Sequence, residues 1–151
     1  MRPVLIDTNA YAAFKRNDQD ILEVIRHAVS IAISPIVGGE LIVCFNSGNK
    51  AKRNKSELQE FMNSPRVILY PITLDTSHCF SHVFNVLKSK GKPIPTNDMW
   101  IAAQAMEHGC VVCTHQKHFA SIDGLIAGST TSDLFLLDDC EVQRDNWCLR
   151  C

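Results

Sequence analysis

Pro3-Val4-Leu5-Ile6-Asp7-Thr8-Asn9 opens with a short apolar run that stops on an acid followed by two small polar residues. Such a run is too short for a helix and suits a strand buried on both faces. The same pattern recurs downstream. Residues 29–33 are rich in β-branched side chains and end at Ser34-Pro35. Residues 67–70 end at Pro71, with Ile72 just beyond, and residues 110–113 follow Gly109. Residues 133–137 are a fifth strand candidate.

Between these runs the apolar period lengthens to that of a helix. Ile21, Leu22, Ile25 and Ala28 follow the i, i+1, i+4, i+7 stripe of an amphipathic helix. Ser34 as N-cap and Pro35 at the first helical position predict a helix reaching about Phe45. Residues 52–62 and 75–87 have helical character, the second ending before Gly91 and Pro93. Thr96-Asn97 reads as the cap of a helix over 98–108, stopped by Gly109. Strands alternating with helices predict an α/β fold, a three-layer α/β/α domain whose central sheet is mainly parallel with right-handed crossovers. The domain is read over residues 1–137. Residues 138–151 are read as an acidic, cysteine-containing tail with Asp138, Asp139, Glu141 and Asp145.

A chain of 151 residues with 46% hydrophobic and 21% charged residues is an ordinary single globule, which excludes disorder, collagen and coiled coil. Its formal charge of −1 supplies no global field for nucleic acid or a membrane surface. No apolar run approaches the ~20 residues of a membrane span. Asp7 arrives too early for a signal-peptide core, so the chain is expected in the cytoplasm. There most of its seven cysteines are expected to be reduced thiols.

In such a sheet the C-terminal strand ends and the N-termini of the following helices share one edge, where ligands bind. Asp7 ends the first strand. Asp98 lies in the first turn of a helix, in line with Ile101, Ala102 and Ala105, and the macrodipole there favours its ionised form. Glu40 lies one to two turns into the helix after the second strand. Three carboxylates on one crevice repel one another by on the order of 3 kcal/mol per pair at ~5 Å and an effective dielectric near 20. A divalent cation removes that repulsion, and an all-oxygen set suits Mg²⁺ or Mn²⁺. Each acid also has a plainer reading: Asp7 as a helix N-cap, Asp98 as a first-turn acid, Glu40 as a solvated helix residue.

These residues resemble a known family. Leu5-Ile6-Asp7-Thr8-Asn9, Glu40, the run from Ile94-Pro95-Thr96-Asn97-Asp98 to Ile101-Ala102-Ala103, and Thr114-His115-Gln116-Lys117-His118-Phe119 followed by Ile122-Asp123-Gly124-Leu125 look like a PIN domain, more narrowly a VapC toxin of a bacterial toxin–antitoxin pair. The resemblance implies a small Mg²⁺- or Mn²⁺-dependent endoribonuclease, usually a homodimer, restrained by a cognate antitoxin. On this reading Asp7, Glu40 and Asp98 are catalytic, with Asp7 and Asp98 holding metal. Thr114 and Asn9 stand behind them. The family's fourth acid falls on Gln116, an amide without charge, and Asp123 seven residues on is a poor substitute. A second reading is therefore a catalytically weakened PIN domain that binds RNA or antitoxin without turnover.

For an RNA substrate, local charge matters more than net charge. Lys50, Lys52, Arg53 and Lys55, then Lys88, Lys90 and Lys92, form two basic clusters suited to phosphate contacts, or equally to a solvated helix face and a loop. Cys110-x-x-Cys113 and Cys148-x-x-Cys151, with His115 and His118 nearby, have zinc-like spacing, against which stands the reading of 110–113 as a buried strand. His78 and His82 share a helix face without a third ligand and read as surface or packing residues.

Overall fold

The strands form where the apolar runs lie. In a computed structural model that describes residues 2–135, β1 (Val4–Ile6), β2 (Ile31–Ile33), β3 (Val67–Leu69), β4 (Val111–Cys113) and β5 (Ala127–Gly128) make one sheet in the order β3-β2-β1-β4-β5. All four pairings are parallel, and Leu5 sits opposite Ala32 on one side and Val112 on the other. β1, β2 and β4 are buried throughout, which is why they carry unbroken apolar residues rather than an alternating pattern. β3 lies at an edge and leaves Ile68 and Leu69 exposed.

The helices are α1 (Thr8–Lys15), α2 (Gln19–His27), α3 (Pro35–Asn46), α4 (Ala51–Met62), α5 (Leu74–Lys90), α6 (Thr96–Glu107) and α7 (Thr131–Phe135), with a 3₁₀ turn at Lys117–Ser121. Ser34 caps α3 by accepting from the Ile36 N–H, with Pro35 in the first turn as expected. Ile21, Val24 and Ala28 form the buried stripe of α2. Gly91 and Gly109 end α5 and α6 at φ +62° and +63°, a left-handed turn that glycine adopts without strain. α5 packs along α6, and α3 touches α1, α4 and α6.

Two expectations are corrected. Residues 131–135 are helix, not strand: Asp133 accepts from the Ser129 and Thr130 N–H groups, while its own N–H donates to the Thr130 hydroxyl. This reciprocal cap turns the segment helical. The fifth strand is instead Ala127–Gly128, only two residues long and paired to β4, at the end of the short apolar run Leu125-Ile126-Ala127. The second correction concerns α6, whose N-cap is Pro95 and which has no side-chain cap. Asn97 lies inside the helix, and its side chain is engaged elsewhere.

The chain winds outward from β1 to β3 and then returns to the other side of β1 for β4 and β5. The direction of winding therefore reverses between β1 and β4, and an open sheet leaves a crevice beyond the C-terminal ends of those two strands.

A methyl group at Gly128 would lie 2.3 Å from Asp133 Cβ and 2.8 Å from its Cγ, whereas nothing lies within 4 Å of one at Gly39. Gly128→Ala should cost about 1–3 kcal/mol by overpacking, and Gly39→Ala should stabilise its helix by up to about 1 kcal/mol. Urea unfolding of the two variants checks both signs.

Candidate active site

Asp7 leaves β1 and Thr114 leaves β4, so the reversal in strand order brings them face to face. The Thr114 hydroxyl donates to Asp7 Oδ2, and the Ala10 N–H donates to Oδ1 at 2.6 Å. Asp7 is therefore both the N-cap of α1 and a buried wall of the crevice, 3% exposed. The Gln116 N–H donates to Thr114 Oγ1 at 2.9 Å, which fixes the chain as it leaves β4.

Glu40 comes from α3 and is held from two sides. The Thr8 hydroxyl donates to Oε2, and Asn97 Nδ2 donates to Oε1 at 2.7 Å. Asp98 follows Asn97 in the first turn of α6, and its Oδ2 lies 2.9 Å from His118 Nε2. His118 rides on the 3₁₀ turn, stacked at 5.0 Å on the buried Phe119 ring. Lys90 braces the same segment by bonding Ser121 O and Asp123. The resulting crevice has a volume of about 940 Å³. The three acids, Asn9 and Gln116 line it, with a non-polar wall from Pro35, Ile36, Gly39 and Val43.

The electrostatics record crowding of negative charge. Burial pushes the Asp7 carboxyl above its ordinary range; the Thr114 and Ala10 hydrogen bonds oppose this and the Asp98 charge adds to it. Burial likewise raises Asp98, His118 pulls it back, and Glu40 raises it further. Among the described residues no three His, Cys, Asp or Glu side chains are grouped closely enough to hold a metal by themselves. The crevice presents an open set of oxygen donors, a chemistry suited to a hard divalent ion that keeps several waters.

The structure brings Asp7, Glu40, Asp98, Asn9 and Gln116 to one crevice, and Thr114 stands directly behind Asp7. Glu40 is not a merely solvated helix residue, because Thr8 and Asn97 engage both of its oxygens. The basic residues sit elsewhere. Lys50, Lys52 and Arg53 line a second hollow of about 560 Å³ at the start of α4. Arg53 pairs with Glu57 at 2.8 Å, so that cluster is less free than its sequence suggests. Lys90 is tied to Asp123, leaving Lys88 and Lys92 exposed around it. Cys110 and Cys113 are buried, with thiols pushed up to about 12 by burial, which opposes the thiolate that zinc takes. Cys148, Cys151 and the rest of the 138–151 tail lie outside the described residues.

His118 is the site residue that sequence reasoning missed, having weighed it only for zinc. Nothing local in the sequence pairs it with Asp98, 20 residues earlier; only the return of the chain past β4 does so. Asn97, expected in the cap of α6, and Thr8, beside the Asp7 N-cap, both donate to Glu40 and position it.

A small doubly wound parallel sheet with carboxylates gathered at its switch point defines a class of acid-lined α/β domain. The chain belongs to the PIN domain family, whose profile matches residues 4–125. It is 31% identical over 127 residues to ribonuclease VapC2 of Rickettsia felis, covering 81% of this chain and 93% of that one. Ribonuclease VapC1 of the same organism is 32% identical over 125 residues, covering 81% and 92%. The fold is similar to that in the structure of VapBC-1 from nontypeable Haemophilus influenzae, with TM-score 0.73 and 25% identity over 83% of this chain and 96% of that one.

Because Asp98 is raised in the folded state, the folded protein holds its proton more tightly than the unfolded chain does. Stability from this group is therefore greatest below the unfolded value of about 3.9 and falls as pH rises through the folded value. Asp98→Asn should unfold at higher urea than the wild type at pH 7 without divalent ions, and the gap should close as pH drops toward about 4. A pH series of urea midpoints checks this.

Proposed function

We propose that this protein is a metal-dependent endoribonuclease and the toxin of a toxin–antitoxin module. The observation that carries the reading is the convergence of Asp7, Glu40 and Asp98 on one crevice, where burial and neighbouring charge oppose the ionisation of Asp7 and Asp98. The ribonuclease names of the VapC relatives support it. Asp7 and Asp98 hold Mg²⁺ or Mn²⁺, which when bound supplies Lewis acidity and a water acidic enough to attack a phosphodiester at neutral pH. Thr114 and the Ala10 N–H keep Asp7 aimed, and His118 does the same for Asp98. Glu40, steadied by Thr8 and Asn97, is the acceptor that orients the attacking water. Ile36 and Val43 offer a non-polar wall to ribose or base.

Lys50, Lys52, Lys55, Lys88 and Lys92 supply sequence-independent phosphate contacts, with Arg53 and Lys90 shared with their acidic partners. A small antitoxin that covers the crevice is the proposed protein partner, supported by the similarity of the fold to that in the VapBC-1 structure. The working form is a homodimer in the cytoplasm. Among the described residues no helix is long and apolar enough to cross a membrane.

Gln116 favours a second reading. The amide lines the crevice where the family's fourth acid would stand, so the domain can bind RNA or antitoxin with turnover weakened.

Cleavage of an RNA pool should stop in excess EDTA, return with Mn²⁺ or Mg²⁺, and fall at least about 100-fold in Asp7→Asn. Undiminished cleavage in EDTA would exclude the metal mechanism. Gln116→Asp should tighten Mn²⁺ binding about tenfold in calorimetry and raise cleavage, since a carboxylate replaces a neutral donor. Tighter binding without any cleavage would favour the second reading.

A further inference from the structure

We infer that Gly39 is the floor of a nucleobase slot in the acid crevice, where an unpaired base of the RNA substrate lies directly on the α3 backbone between Ile36 and Val43. The inference rests on the endoribonuclease reading above and names the part of the substrate that the non-polar wall takes. It starts from two glycines that the fold does not need. Gly38 and Gly39 lie inside α3, where glycine is disfavoured because it has the most backbone freedom to lose. The usual reasons for glycine are absent at both: neither has a positive φ, and a Cβ at either position meets nothing within 4 Å. What separates them is direction. Gly39 lines the crevice and Gly38 does not. A bare backbone facing a site allows a ligand to approach closely.

The surroundings define the group that fits. Ile36, Gly39, Glu40 and Val43 follow at i, i+3, i+4 and i+7, so one face of α3 sets two apolar side chains around the glycine, with an acid beside it. Val43 is 65% exposed, an apolar side chain left open in an acid-lined site. Neither a phosphate nor a metal ion gains from such a surface. A nucleobase does, because its faces are flat and apolar. The crevice volume of about 940 Å³ far exceeds the needs of a hydrated ion and suits a small organic group.

Glu40 is held toward α1 and α6 by the bonds from Thr8 and Asn97. A base on Gly39 therefore sits one residue from the acid that orients the attacking water. Only an unstacked base offers its face, so the slot selects single-stranded RNA. Contact with a face rather than an edge reads no sequence, so the slot places a nucleotide without choosing it. A methyl group at position 39 lifts the base off the helix and carries the attached phosphate out of line.

The test compares Gly39→Ala with Gly38→Ala in the full chain, using Mn²⁺ and a pool of single-stranded RNA oligonucleotides. Both variants should unfold at higher urea than the wild type. Gly39→Ala should lower kcat/KM about tenfold and Gly39→Leu about 100-fold, whereas Gly38→Ala should leave it unchanged. Mn²⁺ affinity in calorimetry should not differ among them. Once the cut is mapped from the RNA ends, removing the neighbouring base that occupies the slot should slow the wild type and erase the Gly39→Ala penalty, as two changes to one contact do. If the RNA binds without turnover, affinities from fluorescence anisotropy take the place of rates in the same comparison. Equal behaviour of the two alanine variants, or a penalty that persists with either neighbouring base removed, overturns the slot and leaves the endoribonuclease reading standing. A loss of cleavage that accompanies a changed mass in solution does the same and marks Gly39 as a contact between copies of the chain. A wild type that neither cleaves nor binds RNA overturns both.

Discussion

The hydrogen bond from Thr114 to Asp7 joins the two strand ends between which the winding of the sheet reverses. Everything chemical in the molecule is placed relative to it. Asp7 N donates to Cys113 O and Thr114 N donates to Gly128 O, so the backbone ladder of β1, β4 and β5 runs straight into the bridged pair. A buried carboxylate at this point is costly unless its oxygens are satisfied, and Ala10 and Thr114 satisfy both. The N-cap role and the crevice role of Asp7 are therefore one arrangement: the oxygen that caps α1 frees none of the other's contact with β4.

Around this bridge the protein accumulates charge that its own fold opposes. Asp98 raises Asp7, and Glu40 raises Asp98, in addition to the burial of both. Such a cluster weakens the folded state for the sake of what it binds, the usual relation between a functional site and stability. Neutral donors limit the cost at two of the acids, Thr8 and Asn97 at Glu40 and Thr114 at Asp7, while the His118 imidazole serves Asp98. Arg53 and Lys90, the basic residues with acidic partners among the two clusters, are paired on the surface, away from the acids.

The segment after β4 is the least regular part of the site and among the most tightly fastened. It has no long helix or paired strand of its own between Cys113 and Ala127. It is held instead by the Gln116–Thr114 bond, the buried Phe119 and Ile122, and the Lys90 bridge. Position on a short turn is thus converted into a defined position over Asp98, as a functional loop on a rigid scaffold requires.

The sequence by itself determined the strands that are buried on both faces, because continuous apolar runs ending at acids or prolines have few other uses. It likewise determined the caps that depend on neighbours in the chain, such as Ser34-Pro35, and the stops at Gly91 and Gly109. The acids Asp7, Glu40 and Asp98 were legible because strand ends and helix starts share one edge in a parallel sheet. What only the tertiary structure decided is every feature built on a distant contact. β5 exists because β4 pairs with it, not because Ala127-Gly128 favours extended structure. The Leu134-Phe135 segment became helix through a cap at Thr130 and Asp133 that outweighed its apolar run. Asn97 became a partner of Glu40 from 57 residues away, and Lys90 a brace for Asp123. His118 acquired its place on Asp98 in the same way. Local periodicity reports which face of an element is buried, but a side-chain hydrogen bond between separate elements depends on the crossing of the chain, which no local pattern encodes.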